Sequence, residues 1–218
     1  VRMAIRAVLF DFDGTIADTL PVCFQAFQAV YWEYDRREVA VPEIVASFGP
    51  PEWAIIAKTL RNRDAVDRAV GRFYELYRSL HAEWVKPNEP VADMLCELKT
   101  RGCKLGLVTG KGRETLDISL AMLGLETMFE ATVTGDDVAR PKPDPEGVLQ
   151  AMRRLGVGKE ETVFVGDSDA DIQAGKSAGV ATVGAHWMET VQNPTFGVPP
   201  DRIATEPRQL LDYIADIR

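Results

Sequence analysis

Short, nearly uninterrupted apolar runs recur along the chain, separated by longer stretches in which apolar residues appear every three or four positions. Runs rich in Val, Ile, Leu and Thr occupy residues 7–10, 104–108, 131–134, 162–165 and 181–183. Continuous apolar character over so few residues is typical of strands that are buried on both faces. We therefore predict five buried strands.

Helical patterns alternate with the last four of these runs. One apolar stripe begins near Leu116 and stops at Gly124, and another covers 172–178 and stops at Gly179. Glycine is the usual residue just beyond the end of a helix. Alternation of strands and helices predicts an α/β fold with a doubly wound parallel sheet. The carboxyl ends of such strands meet along one edge of the sheet, where the site is expected.

Residues 18–87 interrupt the alternation, because they contain helical stripes and no good strand. About 70 residues exceed what a single crossover requires. We predict a small α-helical domain at 18–87, inserted into a core made of 1–17 and 88–218. The Gly49-Pro50-Pro51 break within the insert is either a turn between helices or a loop presented to the site, and we favour the turn slightly. The two stripes that define the predicted helices are Leu20, Phe24, Phe27, Tyr31 and Tyr34, and Val66, Val70, Phe73, Tyr77 and Leu80.

Composition narrows the classes of partner. The chain has 218 residues, 46 % of them hydrophobic, and a formal net charge of −8. A net negative surface disfavours nucleic acid and anionic lipid as general partners. The sequence shows neither a charged leader at Val1-Arg2-Met3 nor an apolar run of membrane-spanning length, so we expect a cytosolic protein. Whether it is a monomer or a homodimer stays open.

The three cysteines are interpreted as buried thiols. Cys23 and Cys96 lie on apolar stretches, and Cys103 precedes a predicted strand. A catalytic cysteine would need a histidine partner, and the chain has only His81 and His186.

Polar clusters follow the first two predicted strands. Asp11-Phe12-Asp13-Gly14-Thr15 comes directly after 7–10, and alternation along extended backbone places both carboxylates on one side. It could equally be an Asx turn that ends the strand. Thr109-Gly110-Lys111 follows 104–108, and its hydroxyl, glycine amide and lysine suit a phosphate oxygen. Taken by itself, the motif is better interpreted as a strand-to-helix turn with a threonine cap.

Two more clusters lie further along the chain. Arg140-Pro141-Lys142-Pro143-Asp144-Pro145 holds Lys142 between two prolines, in stiff and extended backbone. Gly166-Asp167-Ser168-Asp169-Ala170-Asp171 closes the run at 162–165. Its aspartates could simply cap the next helix, or they could supply the hard oxygen ligands that Mg²⁺ prefers.

In this order and at these strand ends, the four clusters resemble the motifs of the haloacid dehalogenase superfamily. The chain is most similar to the phosphoglycolate phosphatase-like branch, whose members insert a helical cap after the first motif. The resemblance covers essentially the whole chain, although the cap matches by position and helicity and not by motif. It implies a Rossmann-like core with a small α-helical cap.

The resemblance also implies a division of roles. Asp11 would be the nucleophile that forms an aspartyl-phosphate, and Asp13 the general acid for the leaving group and then the base for water. Dehalogenases and phosphonatases of the superfamily lack an acid at the position of Asp13. Thr109 and Lys142 would act in catalysis and bind the phosphate, with the Gly110 amide as a further phosphate contact. Many relatives carry asparagine in place of Gly110, so that side-chain contact is lost here.

A Mg²⁺ site is implied by the same resemblance. Its ligands would be Asp11, the backbone carbonyl of Asp13, and Asp167, with Asp171 as a second acidic position that is often outer-shell. The expected substrate is a small phosphorylated metabolite, with 2-phosphoglycolate as the leading type. Inorganic pyrophosphate is the alternative. A sugar phosphomutase is disfavoured because residues 20–24 lack the expected histidine, and a non-catalytic phosphate-binding domain is disfavoured because no acid or metal ligand is missing.

Overall fold

The apolar runs pair into one parallel sheet in the structure, a computed structural model that describes residues 4–217. Its six strands lie in the order β3-β2-β1-β4-β5-β6. Each neighbouring pair is parallel, and in the pairing of β1 with β4, for example, Ala7 lies beside Thr162. The strands are β1 Ala7–Phe10, β2 Lys104–Val108, β3 Ala131–Val133, β4 Thr162–Gly166, β5 Ala181–Ala185 and β6 Arg202–Ala204.

Helices cover both faces of this sheet. Val8 and Phe10 of β1 are buried in one apolar cluster with residues of α5 and α9, whereas Ala7 and Leu9 are buried in a second cluster with residues of α7 and α8. The alternation of side chains along a strand produces this division. The core helices are α5 Glu89–Thr100, α6 Arg113–Leu123, α7 Glu146–Leu155, α8 Asp169–Ala178 and α9 Pro207–Asp216, with a 3₁₀ turn at Lys159–Glu161.

Four helices fill the chain between β1 and α5, where the insert is predicted. They are α1 Leu20–Asp35, α2 Val41–Ala46, α3 Glu52–Thr59 and α4 Val66–Trp84, with a 3₁₀ turn at Arg63–Ala65. The predicted stripes of α1 and α4 face each other, and the ring centroids of Phe27 and Phe73 lie 4.7 Å apart. The helical nature of this segment is therefore as expected. None of the helices within 4–217 is both long enough and apolar enough to cross a lipid bilayer.

Two sequence-based expectations need correction. β6 was not predicted, because it is a three-residue edge strand whose first two residues are exposed and whose sequence is no apolar run. Cys96 is exposed on the outer face of α5, whereas Cys23 and Cys103 are buried as expected. Residues 1–3 and 218, which belong to the predicted core, lie outside the described residues.

Candidate active site

Three carboxylates converge at the carboxyl edge of the sheet. Asp11 follows β1, Asp167 follows β4, and Asp171 lies in the first turn of α8. One oxygen from each lies within 4.8 Å of the others. All three are buried. Neighbouring parallel strands bring these residues together as the sequence predicts, and the proximity of three buried negative charges requires compensation.

Lys142 provides part of that compensation. Its Nζ donates to Asp11 Oδ1 at 2.8 Å and to Asp171 Oδ1 at 2.6 Å, and it also contacts the Val108 carbonyl at 3.2 Å. Burial alone would lower the pKa of this lysine, but the charges of Asp11 and Asp171 raise the pKa above its usual value. Lys142 is therefore a permanent cation between the two carboxylates.

One ammonium does not balance three carboxylates. Burial raises the pKa of Asp11 to about 7 despite the attraction of Lys142, and the charges of Asp171 and Asp13 act in the same direction as burial. The pKa of Asp167 is also raised well above its ordinary value, first by burial and then by Asp11 and Asp171. Such shifts are typical of a site that holds a cation when complete.

Asp167 carries the most direct indication of a cation site. Its Oδ2 accepts the Gln192 backbone N–H at 2.6 Å. Its Oδ1 is buried without a hydrogen-bond partner among residues 4–217. A buried carboxylate oxygen without a partner is costly, and a divalent cation with hard oxygen ligands would satisfy it. Gly14, at a φ of +76°, passes so close that a Cβ there would collide with the Asp167 carboxylate. Asp11 and Asp167 therefore fit a metal ion.

Asp171 is placed differently from the other two carboxylates. Its Oδ1 accepts from Lys142, and its Oδ2 accepts both the Ser168 backbone N–H at 3.0 Å and the Ser168 hydroxyl at 2.6 Å. Ser168 is the N-cap of α8, so Asp171 forms a capping box with it. Both oxygens of Asp171 therefore already have donors.

Asp13 lies two residues after Asp11, shortly before the predicted insert begins. Its Oδ1 accepts from the Thr19 hydroxyl and, at 3.0 Å, from Lys111 Nζ. The Lys111 side chain is only 1 % exposed and also lies 3.7 Å from Glu52 Oε1. Burial would lower the pKa of Lys111, but Asp13, Tyr77 and Glu52 together raise it well above the ordinary value.

Thr109 and Gly110 directly follow β2 and precede Lys111. The Thr109 hydroxyl accepts the Lys111 backbone N–H at 3.2 Å, and both residues line the same cavity as Asp11, Asp13 and Lys142. All the predicted catalytic and phosphate-binding residues thus border one space. The predicted metal residues Asp167 and Asp171 contact two residues that line this space, Gln192 and Lys142.

The cavity measures about 310 Å³, and the insert forms its other wall. That wall is mostly apolar and consists of Cys23, Val45, Phe48, Gly49, Pro50 and Ile55, together with Glu52. The Gly49-Pro50-Pro51 break is a turn between α2 and α3, which is the favoured interpretation. Gly49 and Pro50 also border the cavity, which is the alternative interpretation. A volume of this size is at the lower end for small-molecule sites.

Sequence reasoning missed two contributors. Glu52 is buried, and its Oε2 accepts the Gly112 N–H while its Oε1 accepts the Thr115 hydroxyl, both at 2.7 Å. In the sequence it is only an acidic residue at the start of a helix. Residues 186–200 are irregular, and Gln192 and Asn193 among them also border the cavity. No local pattern distinguishes them from ordinary loop residues.

Comparisons with known proteins show which family the sequence matches. The sequence model of the haloacid dehalogenase-like hydrolases matches residues 8–185. Pyrophosphatase PpaX from Bacillus velezensis is 33 % identical over 213 residues, which are 98 % of this chain and 94 % of that protein.

Solved structures extend the likeness to the fold. A predicted phosphoglycolate phosphatase from Haemophilus somnus superposes with a TM-score of 0.82 at 21 % identity, over 98 % of this chain and 99 % of that one. CbbY from Rhodobacter sphaeroides, solved in complex with phosphate, gives a TM-score of 0.80 at 25 % identity, over 94 % and 96 %. The matches span both the sheet and the helices that precede β2.

Proposed function

Because the chain belongs to the haloacid dehalogenase-like hydrolase family, we propose that it is a Mg²⁺-dependent phosphatase that hydrolyses a small phosphomonoester through an aspartyl-phosphate. The observation that carries this proposal is the arrangement around Asp11. Its carboxylate is fixed by Lys142 on one side, while Asp167, on the other, keeps a buried oxygen without a partner. In-line attack on a phosphate dianion requires a nucleophile, a fixed cation and a carboxylate oxygen that can bind a metal ion.

Asp11 would attack phosphorus, and the bond to the leaving oxygen would break as the new P–O bond forms. Lys142 supports this step because its ammonium holds the attacking carboxylate and offsets charge on the phosphoryl oxygens. The Thr109 hydroxyl and the Gly110 amide are the further phosphate contacts that we propose. They border the space in front of Asp11.

Asp13 would give its proton to the leaving oxygen and then take one from the water that cleaves the aspartyl-phosphate. Its position supports this role, because Thr19 and Lys111 orient the carboxyl group toward the cavity that Asp11 also borders. Hydrolysis then returns both aspartates to their starting states and releases phosphate.

Mg²⁺ would be held by Asp11, Asp167 and the backbone carbonyl of Asp13, and when bound it would offset the charge of the carboxylates and the phosphate. We place Asp171 in the outer shell, since Lys142 and Ser168 already donate to its oxygens. There it orients Lys142.

2-Phosphoglycolate is the leading candidate for the substrate type, and the small cavity, closed by helices at residues 18–87 that we propose to be a cap, supports a small ester. Inorganic pyrophosphate is the second candidate, favoured by the name of the PpaX relative.

Phosphate release from 2-phosphoglycolate, pyrophosphate and several sugar phosphates tests the proposal, with Mg²⁺ and with EDTA. We expect release only with the metal and none from Asp11→Asn, with circular dichroism showing that the variant is folded. Undiminished turnover in Asp11→Asn would exclude the covalent mechanism. A sugar phosphate that is isomerised instead of hydrolysed would favour a mutase.

A further inference from the structure

Two cations border the cavity among its described lining residues, and each contacts a different aspartate. Lys142 contacts Asp11, where the phosphoryl group would react. Lys111 contacts Asp13 at 3.0 Å. Since Asp13 would protonate the leaving oxygen in the proposed function, Lys111 marks the leaving-group end. It is the side chain there that could meet a negatively charged leaving group.

Lys111 is already neutralised by the protein. Asp13 lies 3.0 Å from its Nζ and Glu52 3.7 Å from it, and the ammonium also lies 4.4 Å from the centre of the Tyr77 ring. Even when Asp13 carries the proton that it gives to the leaving oxygen, Glu52 alone balances the ammonium, so no net positive charge is left for a ligand. At low dielectric, an additional anion at this end would be repelled by Glu52 about as strongly as it is attracted by Lys111.

Glu52 cannot easily move aside, because the core holds it. Gly112 N–H and the Thr115 hydroxyl donate to its two oxygens. Gly112 is the N-cap of α6, so the carboxylate lies at the positive end of that helix. A Cβ on Gly112 would lie 2.8 Å from Glu52 Oε2, so glycine is what permits the close approach. The negative charge of Glu52 is therefore a fixed part of the leaving-group end.

The remaining wall at this end offers no compensating charge. Cys23, Val45, Phe48 and Ile55 are apolar and come from α1, α2 and α3 and their connections. Such a wall suits a small leaving group with little charge.

We propose that Glu52 is a specificity-determining residue: by neutralising Lys111, it selects substrates whose leaving group carries at most one negative charge. This inference rests on the proposed phosphatase function and ranks its two candidates. Cleavage of 2-phosphoglycolate releases glycolate, a leaving group with one negative charge, which is tolerated. Cleavage of pyrophosphate releases phosphate, a leaving group with about two negative charges, which is disfavoured.

A substrate series of graded leaving-group charge tests this ranking. The series is 2-hydroxyethyl phosphate, 2-phosphoglycolate and pyrophosphate, with neutral, singly and doubly charged leaving groups, at one fixed concentration of free Mg²⁺. In Glu52→Gln, which keeps the shape and loses the charge, we expect kcat/KM relative to 2-hydroxyethyl phosphate to rise roughly three- to tenfold for 2-phosphoglycolate, and by a larger factor for pyrophosphate. Dividing each ratio by the wild-type ratio removes the intrinsic reactivity of each substrate.

Glu114→Gln is the matched control. It removes the same charge near the same end of α6, but Glu114 is 57 % exposed and pairs with Arg78 at the surface. We expect it to leave all three ratios unchanged. Equal changes for the three substrates in an active, folded Glu52→Gln would overturn the inference.

The failure of the inference is distinguishable from that of the proposed function. If wild type releases no Asp11-dependent phosphate from any substrate of the series, the proposed function is wrong. If it does and the ratios do not move, only the role of Glu52 is wrong. Should Glu52→Gln fail to fold, Lys111→Met carries the test, since the ratios must then shift in the opposite direction; a uniform loss across the three substrates would contradict the inference.

Discussion

The two walls of the cavity, one at the sheet edge and one at the insert, differ in the kind of side chain that they present. At the sheet edge, the side chains that would act on the phosphate come from strand ends and from the loop before α7, and most are charged, largely buried and hydrogen-bonded to one another, as Lys142 between Asp11 and Asp171 illustrates. At the insert, the wall is largely apolar, comes from helices and their connections, and reaches the core through a few polar contacts at Glu52 and Trp53.

This difference separates the reaction from the choice of substrate. Side chains at the sheet edge are interdependent, because removing one charge leaves the others buried without compensation. The wall at the insert is mostly apolar, and its one carboxylate, Glu52, contacts Lys111 and not the nucleophile. We therefore expect large, coupled effects from substitutions at the sheet edge and small, selective ones at the insert.

The largest effect is expected from Lys142→Met. Loss of the ammonium removes the cation that holds Asp11 and should lower kcat by at least roughly 10²- to 10³-fold. Without metal, it also leaves Asp11 and Asp171 facing each other, which should destabilise the fold by about 3–5 kcal/mol. Steady-state phosphate release and urea unfolding in EDTA measure the two quantities.

Lys159→Met is the control for this substitution. Its side chain is 59 % exposed and lies 3.8 Å from Glu160, so neither quantity should change appreciably. A Lys142→Met protein with normal stability in EDTA would show that the buried charges are not coupled as the geometry indicates.

Asp167→Asn should separate metal binding from stability. The Mg²⁺ concentration for half-maximal activity should rise at least roughly tenfold. In EDTA the variant should be more stable than wild type, because a buried carboxylate beside Asp11 has been removed. Asp201→Asn is the control: Asp201 accepts from Thr182, so this variant should be slightly less stable, with an unchanged Mg²⁺ requirement.

The same carboxylates give the metal-free protein a defined pH dependence. The pKa values of Asp11 and Asp167 are raised, Asp11 to about 7, so between roughly pH 4 and pH 7 the folded state binds more protons than the unfolded chain. Stability in EDTA should therefore fall as the pH rises through this window. The fall should be smaller in Asp167→Asn, and an equally steep fall in both proteins would contradict the pairing.

The sheet edge was largely predictable from the sequence, and the reason is physical. A buried strand is recognisable in the sequence as an apolar run, and the carboxyl ends of neighbouring parallel strands lie at the same edge of the sheet. The residues after those runs, such as Asp11 and Asp167, therefore had to meet. β6 was not predicted because its residues 202 and 203 are exposed, so the strand has no apolar run in the sequence.

The insert side was much less predictable. Its helices follow from apolar stripes, but which side chain meets the core depends on how the insert docks, and no local pattern encodes that. Glu52 is an ordinary first-turn acid until Gly112 and Thr115 are seen to bind it. The sequence offers Lys111 as a phosphate contact, but it does not reveal that the ammonium lies beside two carboxylates of the protein, Asp13 and Glu52.

A smaller effect is expected from Asp137→Asn, which lies in the core next to a residue that binds the insert. Asp137 Oδ2 accepts the Thr134 N–H at 2.8 Å and the Arg113 guanidinium at 2.7 Å. Burial alone would raise the pKa of Asp137, but Thr134, Arg113 and Arg154 lower it below the ordinary value. The substitution should destabilise the protein by about 1–2 kcal/mol at pH 7 and leave kcat unchanged.

The stabilisation by Asp137 should disappear at acid pH. Because its folded-state pKa is lowered, the carboxylate stabilises the protein above its ordinary pKa, and this contribution is lost as the pH falls through the lowered value. Urea midpoints of wild type and Asp137→Asn should therefore differ at pH 7 and pH 5 and converge below roughly pH 4. A difference that persists at low pH would point to packing and not to charge.

The smallest effect, and the most selective, is expected from Trp53→Phe. The Trp53 indole N–H donates to Asp136 Oδ1 at 2.7 Å, while Asp136 Oδ2 accepts the Arg113 backbone N–H at 2.6 Å. Phenylalanine keeps the apolar contact and loses only this bond between insert and core. The insert wall should then be held less firmly against the core and bind the substrate less tightly, which raises KM roughly two- to fivefold and leaves kcat within about twofold.

Trp84→Phe is the matched control, since Trp84 is equally exposed, at 45 % against 44 %, and lies at the far end of α4. It should change neither constant. If Trp53→Phe lowered kcat as strongly as KM rises, the insert would be positioning the reacting groups themselves, and the two walls of the cavity would not be separable. A change confined to KM would instead mean that the insert selects and retains the substrate while the sheet edge alone sets the rate of the reaction.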